Sequence, residues 1–162
     1  MKRTLLAALA AVCLAACGKA HYYVDKQPGD LGKLKQVAVG SVVVASKEDN
    51  PDARDLNRQW QLSLTDSLQT LLRDKGRAGK GKARVEARVD IVYGSQALRY
   101  WVGFGAGAGS IKIVLQLKDA GGNVVYATRS ESDLGAGWFG GDMKETIRKT
   151  INGAVQDFGS RL

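Results

Sequence analysis

Apolar and polar residues alternate from Arg84 to Ile91, and Tyr93 continues the apolar positions of this segment. Because successive side chains of a strand point to opposite faces, this pattern predicts a strand with one buried face and one face in water. The segment Gln36–Ala45 is instead a short run rich in valine, which is typical of a largely buried strand. Two further strands are predicted at Ser110–Lys118 and Val124–Arg129, joined by a hairpin turn at Asp119–Asn123.

Two other segments have apolar residues at every third or fourth position, which is the period of an amphipathic helix. The first begins behind Asn50-Pro51, where Asn can cap a helix and Pro suits its first position, and it continues to Arg73. The second follows Asp142 and Glu145, which are spaced like a capping box. The apolar stripes consist of Leu56, Trp60, Leu64, Leu68, Leu71 and Leu72 in the first helix, and of Met143, Ile147, Ile151, Val155, Phe158 and Leu162 in the second.

The predicted order is therefore strand, helix, strand, strand, strand, helix. One sheet with both helices on its apolar face buries every apolar stripe, because each element has only one such side. We predict an α+β fold, with a small, mainly antiparallel sheet of about four strands and two amphipathic helices packed on one face. The 162 residues allow one domain with a substantial core, which we place at residues 36–162.

The chain begins with the pattern of an export signal. Lys2-Arg3 form a positive start, and the 12 residues Leu5–Ala16 are all apolar, a length too short to span a membrane and typical of a signal peptide. The run ends in Leu14-Ala15-Ala16-Cys17, which resembles the lipobox of bacterial lipoproteins. This resemblance implies cleavage between Ala16 and Cys17 and attachment of acyl chains such as palmitate to Cys17. The alternative is an ordinary secretory signal in which Cys17 has no role.

Gly18 follows the cysteine, whereas Asp at this position is the usual inner-membrane retention signal in lipoproteins of Gram-negative bacteria. The resemblance therefore implies a lipid anchor on the periplasmic face of the outer membrane, where several acyl chains hold a protein almost permanently. We expect residues 1–16 to be the signal peptide. Residues 17–35 are expected to be the lipidated Cys and a flexible tether, because they are polar and include the turn residues Pro28-Gly29-Asp30.

The scarcity of Cys and His narrows the possible chemistry. The chain has two Cys, of which Cys13 is lost with the signal and Cys17 is acylated, and its one His, His21, lies in the tether. Catalysis by Ser-His-Asp or Cys-His and zinc sites built from His or Cys are thereby excluded in the domain. No metal and no cofactor is expected. Carboxylates remain, and an envelope hydrolase that uses them is the enzymatic alternative.

A longer series of motifs resembles a known family. It consists of Arg99–Gly107, an alternating strand, the turn Asp119–Asn123, and Gly140-Gly141 before an amphipathic helix. The series is similar to the bacterial lipoprotein family known as domain of unknown function 4410, from about Val37 to Phe158. One departure is Asn123, where relatives often have Gly, but Asn also tolerates a positive φ and the hairpin is expected to form. The resemblance implies the domain and its location, and no known activity.

Two Gly-rich segments, Gly103–Gly109 and Gly135–Gly141, contain or adjoin five of the chain's 11 aromatic residues (3 Trp, 5 Tyr and 3 Phe). Repeated Gly indicates unusual φ values or a close approach of backbone, and large aromatic residues beside such backbone often form contact surfaces. The alternative is that both segments fold over the end of the sheet and close the core. The candidate contact surface consists of Tyr100, Trp101, Phe104, Trp138 and Phe139.

The excess of 24 Lys and Arg over 16 Asp and Glu is concentrated between the first helix and the next strand. This segment nearly matches a P-loop, but Ala83 stands where Ser or Thr binds Mg²⁺, and a P-loop runs from a strand into a helix. Export and the lack of interleaved aromatic residues exclude nucleic acid as the partner. Two interpretations of this segment remain: it contacts anionic headgroups, or it is a solvated, mobile loop. The candidate basic loop consists of Arg73, Lys75, Arg77, Lys80, Lys82 and Arg84.

Three functions remain open at this point. The first is a non-catalytic, outer-membrane-anchored periplasmic domain that binds an unidentified protein partner or supports an envelope assembly. The second is a subunit of an oligomeric pore or secretion assembly, in which Arg84–Val102 and Ser110–Arg129 lengthen into a membrane-inserting hairpin, with Glu86, Arg88 and Asp90 facing a lumen. The third is the carboxylate-based hydrolase.

Overall fold

The computed structural model describes residues 20–29, 31, 34–93, 109–134 and 143–162, and these form five strands and two helices. The strands are β1 (His21–Lys26), β2 (Val37–Ser46), β3 (Ala83–Val92), β4 (Gly109–Lys118) and β5 (Val124–Leu134), and the helices are α1 (Pro51–Asp74) and α2 (Met143–Gly159).

The strands form one mixed sheet in the order β1-β5-β4-β3-β2. β2 and β3 are parallel and are joined by α1 as a crossover, whereas the other neighbouring strands are antiparallel. The α+β class is confirmed, but the prediction of about four strands is corrected to five. The additional strand, β1, lies within the segment that was predicted to be a tether. Five of its six residues are exposed, so the apolar face that identifies the other strands is weak there.

β5 extends to Leu134, beyond its predicted end at Arg129. The extension places Ser130 and Ser132 among the side chains that face the helices, where they are 1% and 5% exposed. Buried serines interrupt the alternation of apolar and polar residues, which explains why the pattern predicted a shorter strand.

Both helices pack on one face of the sheet, as predicted, and they also contact each other. The core lies between them and the alternate residues of β3 and β4, where Val85, Val89 and Ile113 are 0% exposed. Trp60 of α1 is half-buried and packs against this core. Each large apolar side chain removed from water contributes about 1.5–3 kcal/mol, so this one layer supplies the main stabilisation of the described domain.

The position of the helices contradicts one form of the pore hypothesis. A membrane-inserting hairpin needs the apolar side of β3 and β4 to face lipid, but that side is covered by α1 and α2. Neither of the two described helices combines the length and the apolar composition that a membrane span requires.

The start of α1 confirms the predicted cap. The side-chain Oδ1 of Asn50 accepts a hydrogen bond from the backbone N–H of Ala53 at 2.9 Å, and Pro51 stands in the first turn. Asp52 adds a negative charge in the same turn, which suits the positive end of the helix dipole. This cap fixes where the chain turns from β2 into the crossover helix.

Candidate functional site

Opposite the helices, the sheet has a face that no described helix covers, which we call the open face. Ion pairs connect its side chains along and across strands. Glu86 accepts hydrogen bonds from Nε of Arg84 at 2.9 Å and from Nζ of Lys118 at 2.6 Å. Arg88 lies 2.9 Å from Asp90 on the same strand. The charges of the open face are therefore largely neutralised by one another.

Arg129 connects β5 to the edge strand β1 on the open face. Its guanidinium lies 3.3 Å from Asp25 and 3.1 Å from Glu131. It also lies 4.8 Å from the ring centroid of Tyr23, within the range of a cation–π interaction. These contacts hold β1 against the sheet in addition to its backbone pairing.

On the helix side, Tyr22 docks β1 against α2. A Cβ built on Gly153 of α2 would lie 2.1 Å from the Tyr22 hydroxyl oxygen, so the glycine leaves the space that the phenol occupies. Burial, together with the negative charge of Asp157, raises the pKa of Tyr22 above its ordinary value. β1 is thus attached on both faces of the sheet, and residues 21–26 are part of the fold instead of a flexible tether.

The open face offers little to hydrolase chemistry. The hydrogen bond from Lys118, supported by Arg84, holds the pKa of Glu86 below its ordinary value. A general acid needs a raised pKa, so this ionised carboxylate is unsuited to that role. Within the described ranges, no group of three or more His, Cys, Asp or Glu side chains could hold a metal ion. The hydrolase hypothesis gains no support from these groups.

The strands define two ends of the sheet. At one end, which we call the proximal end, β3 finishes and β4 starts, and Gly109 of β4 pairs with Leu134 at the finish of β5. A Cβ on Gly109 would lie 2.4 Å from the carbonyl oxygen of Val92, so this glycine allows the close approach of the two strands. β1 also starts towards this end, since His21 pairs with Glu131.

The predicted contact surface belongs to two segments that are attached at the proximal end. One segment joins β3 to β4 and the other joins β5 to α2, and their attachment points are neighbours in the sheet. The structure therefore brings the flanks of both segments together. The candidate contact residues themselves lie outside the described residues: Tyr100, Trp101, Phe104, Trp138 and Phe139.

The predicted basic loop lies at the opposite, distal end, where α1 finishes and β2 and β3 start. The structure does not bring its six basic residues together as one surface. Arg84 is paired on the open face, and Nη1 of Arg77 donates to the carbonyl oxygens of Leu31 and Leu34 at 2.9 and 3.0 Å. Arg73 donates to Oγ1 of Thr70 at 2.9 Å. The three lysines of the set are Lys75, Lys80 and Lys82, of which none lies within 4.0 Å of a described carboxylate.

The backbone of this loop is also hydrogen-bonded to the rest of the fold. Gly76 has φ +63°, and the N–H of Arg77 donates to the carbonyl oxygen of Leu72 at 2.9 Å, as in a helix-terminating Schellman motif. A Cβ on Gly81 would lie 2.1 Å from the carbonyl oxygen of Gln36. The glycines that resemble a P-loop are therefore required by the end of a helix and by a close backbone contact.

Comparison with known proteins shows the fold. No protein-family model and no curated protein matches the chain. Among solved structures, a PelC dodecamer from Paraburkholderia phytofirmans is 16% identical, with 90% of this chain and 100% of that chain covered and a TM-score of 0.52. A protein of the domain of unknown function 4136 family from Bacteroides thetaiotaomicron is 13% identical over 89% of this chain and 95% of its own, with a TM-score of 0.44. The chain shares its fold with PelC.

The two tyrosines that attach β1, Tyr22 and Tyr23, were not predicted as functional or structural residues from the sequence. The alternation of Tyr22 and Val24 with Tyr23 and Asp25 was the available signal, but it spans only one short strand beside a run of turn residues. Their importance depends on Gly153 and Arg129, which are more than 100 residues away along the chain. Only the folded structure brings these partners together.

Proposed function

We propose that this chain is a lipoprotein of the outer membrane, related to the domain of unknown function 4410 family, and that it serves as a non-catalytic binding or scaffold domain of the envelope. Cys17 would carry the acyl chains, following the lipobox Leu14-Ala15-Ala16-Cys17. The observation that carries the proposal is the placement of β1, because it fixes the start of the folded domain directly behind this cysteine.

The consequence is a short connection to the membrane. Only residues 18–20 separate Cys17 from His21, and four residue steps of extended chain span at most about 14 Å. The proximal end of the sheet would therefore lie close to the bilayer, together with the attachment points of both aromatic segments. An anchored domain of this kind has a defined orientation, which a long flexible tether would not impose.

This orientation bears on the basic loop. β3 spans the distance from the distal to the proximal end, about 30 Å for its ten residues. Screening limits the attraction of anionic headgroups to about 10 Å at moderate salt. The proposal therefore places Lys75, Lys80 and Lys82 in the periplasm, out of reach of the membrane that holds the anchor.

Metabolic labelling with palmitate tests the anchor, and the chain offers a matched control. We expect Cys17→Ser to abolish labelling and to release the protein from the outer-membrane fraction, whereas Cys13→Ser, four residues earlier in the same signal, leaves both unchanged. Gly18→Asp should move the labelled protein to the inner membrane. Undiminished labelling of the Cys17→Ser variant would contradict the proposal.

A second candidate function is that of a subunit in an oligomeric envelope assembly. Two observations favour it: the fold is shared with PelC, which forms a dodecamer, and the sheet ends in β1 on one side and β2 on the other, with no further described strand beyond either. Native mass spectrometry of the full chain in a neutral detergent is the test. A single species at the monomer mass would contradict this candidate.

A further inference from the structure

Exposed apolar residues of this protein concentrate on the two edge strands. Among the described residues, the large apolar side chains with high exposure are Tyr22 at 42%, Tyr23 at 41%, Val43 at 45% and Leu62 at 63%. The first two belong to β1 and the third to β2, which are the two edges of the same sheet. Both edges thus combine apolar side chains with an outer side that pairs with no further described strand.

The β2 edge lacks the features that usually protect an edge strand. Exposed edges are commonly blocked by Lys, Pro or inward-pointing charges, whereas Val37–Ser46 contains no charged residue and no Pro. Its first part is covered, because Val37 exchanges backbone hydrogen bonds with Arg77 and Gly79 at 2.8 and 3.1 Å. A register shift between Val39 and Val42 then follows. No described strand pairs with the outer side of Val42–Ser46, which we call the open part of the edge.

We propose that this open part of β2 pairs with β1 of a second copy of the chain, in an antiparallel and head-to-tail contact. The proposal rests on both parts of the proposed function, the anchor at Cys17 and the oligomer, and it names the interface. In such a contact each copy uses one edge and the pair keeps one free β1 and one free β2. The same contact therefore repeats from copy to copy until a ring closes.

The anchor selects this pairing over the symmetric alternative. β1 runs from the proximal towards the distal end and β2 runs the other way, so two copies with the same orientation present these strands antiparallel. Antiparallel pairing of β2 with β2 would instead point the two proximal ends in opposite directions. Copies anchored in one membrane by a three-residue spacer share one orientation, which fits β2 with β1 and excludes β2 with β2.

The registers across the sheet also place the two strands at the same height. Val43 pairs with Arg88, which pairs with Val114, and Val114 in turn pairs with Arg129, whose partner is Tyr23. A rotation about the membrane normal keeps heights unchanged, so Tyr23 of the next copy arrives beside Val43. An aromatic residue opposite a β-branched residue is a favourable cross-strand pair.

Engineered cysteines test the contact directly, because acylation leaves the mature chain without a free thiol. Directly paired residues in a sheet lie within the Cα–Cα range of a disulfide. In the full-length chain in cells, we expect the double variant Val43→Cys with Tyr23→Cys to form a ladder of disulfide-linked oligomers on non-reducing gels. The matched control, Leu62→Cys with Tyr23→Cys, joins two exposed positions that the proposal keeps apart, and it should yield no ladder.

The single variants and a charge substitution decide the remaining cases. A disulfide-linked dimer of the Val43→Cys variant alone would show β2 against β2 and overturn the proposal, as would the absence of a ladder in the double variant. Val43→Lys, which leaves the core untouched, should reduce the oligomer in detergent to the monomer, whereas Leu62→Lys should not. A monomeric wild-type chain refutes the oligomer itself, while an intact oligomer of the Val43→Lys variant refutes only the interface.

Discussion

The contact between Tyr22 and Gly153 predicts that Gly153→Ala affects stability differently when Tyr22 is present and when it is replaced. Replacement of Gly153 by Ala adds a Cβ that would lie 2.1 Å from the Tyr22 hydroxyl oxygen, so the phenol must leave its place on α2. Gly153 also stands inside a helix, where Ala is favoured over Gly by about 0.5–1 kcal/mol. Two opposing effects therefore meet at one position.

The magnitude follows from the exposure of Tyr22. Full burial of a large apolar side chain contributes about 1.5–3 kcal/mol, and Tyr22 is 42% exposed, so its docking contributes about 1–1.5 kcal/mol. In the wild-type background the helix gain offsets much of this loss, and we expect Gly153→Ala to lower the free energy of unfolding by no more than about 1 kcal/mol. In a Tyr22→Ala background nothing opposes the helix gain, and Gly153→Ala should stabilise by about 0.5–1 kcal/mol.

The assay is a double-mutant cycle from urea unfolding, combined with hydrogen exchange of the β1 backbone amides. In the single Gly153→Ala variant, these amides should exchange faster by more than the small loss of global stability accounts for, because β1 loses one of its two attachments. The pKa of the Tyr22 phenol should also fall towards its ordinary value once the side chain leaves the burial that raises it. An equal stabilisation by Gly153→Ala in both backgrounds would refute the docking of Tyr22 on α2.

Three further predictions concern the scaffold. Asn50→Ala should lower the free energy of unfolding by about 1 kcal/mol in urea titration, because the Ala53 N–H loses its cap, and an unchanged value would contradict the cap. The pKa of Glu86 is lowered in the folded state, so its ion pairs stabilise the fold above the ordinary value of 4.5, and this stabilisation is lost as the pH falls. Glu86→Gln should therefore flatten the acid side of a curve of unfolding free energy against pH. Burial raises the pKa of Tyr93 to about 12, so its neutral form contributes stability that is lost as the pH rises above about 10, and Tyr93→Phe should reduce that alkaline loss.

The predictable part of the fold is the part that local patterns encode. β3 and β4 follow from strict alternation, and the start of α1 follows from Asn50-Pro51, because both signals depend on neighbouring residues alone. The parallel pairing of β2 with β3 and the addition of β1 depend on partners distant in the sequence. The pattern of one strand contains no information about which edge it joins, and the polar surroundings of β1 favoured a tether.

The candidate sites show the same division. The basic loop was identified by composition, but composition cannot distinguish Arg77, which binds two backbone carbonyls, from the exposed Lys80 beside it. Its glycines resemble a nucleotide-binding motif because a phosphate-binding loop also needs glycines at tight backbone turns. In this chain Gly76 ends a helix, and Gly81 lies against the carbonyl oxygen of Gln36. The residue types present limited the chemistry that the chain could perform, whereas the contacts that each residue makes became apparent only in the folded structure.

The placement of β1 connects these observations. A strand added antiparallel to β5 must start near the end of the sheet at which β5 finishes, and this brings His21, which follows closely behind Cys17 in the sequence, towards the proximal end. The same topology sends α1 and the loop after it to the distal end, since a crossover between parallel strands returns to the start of the sheet. A chain anchored through Cys17 therefore directs Lys75, Lys80 and Lys82 away from the membrane and holds its two edge strands perpendicular to it. Lateral association along the membrane is then the arrangement that satisfies both edges, and any assembly that stacked the domains end to end would leave Val42–Ser46 exposed.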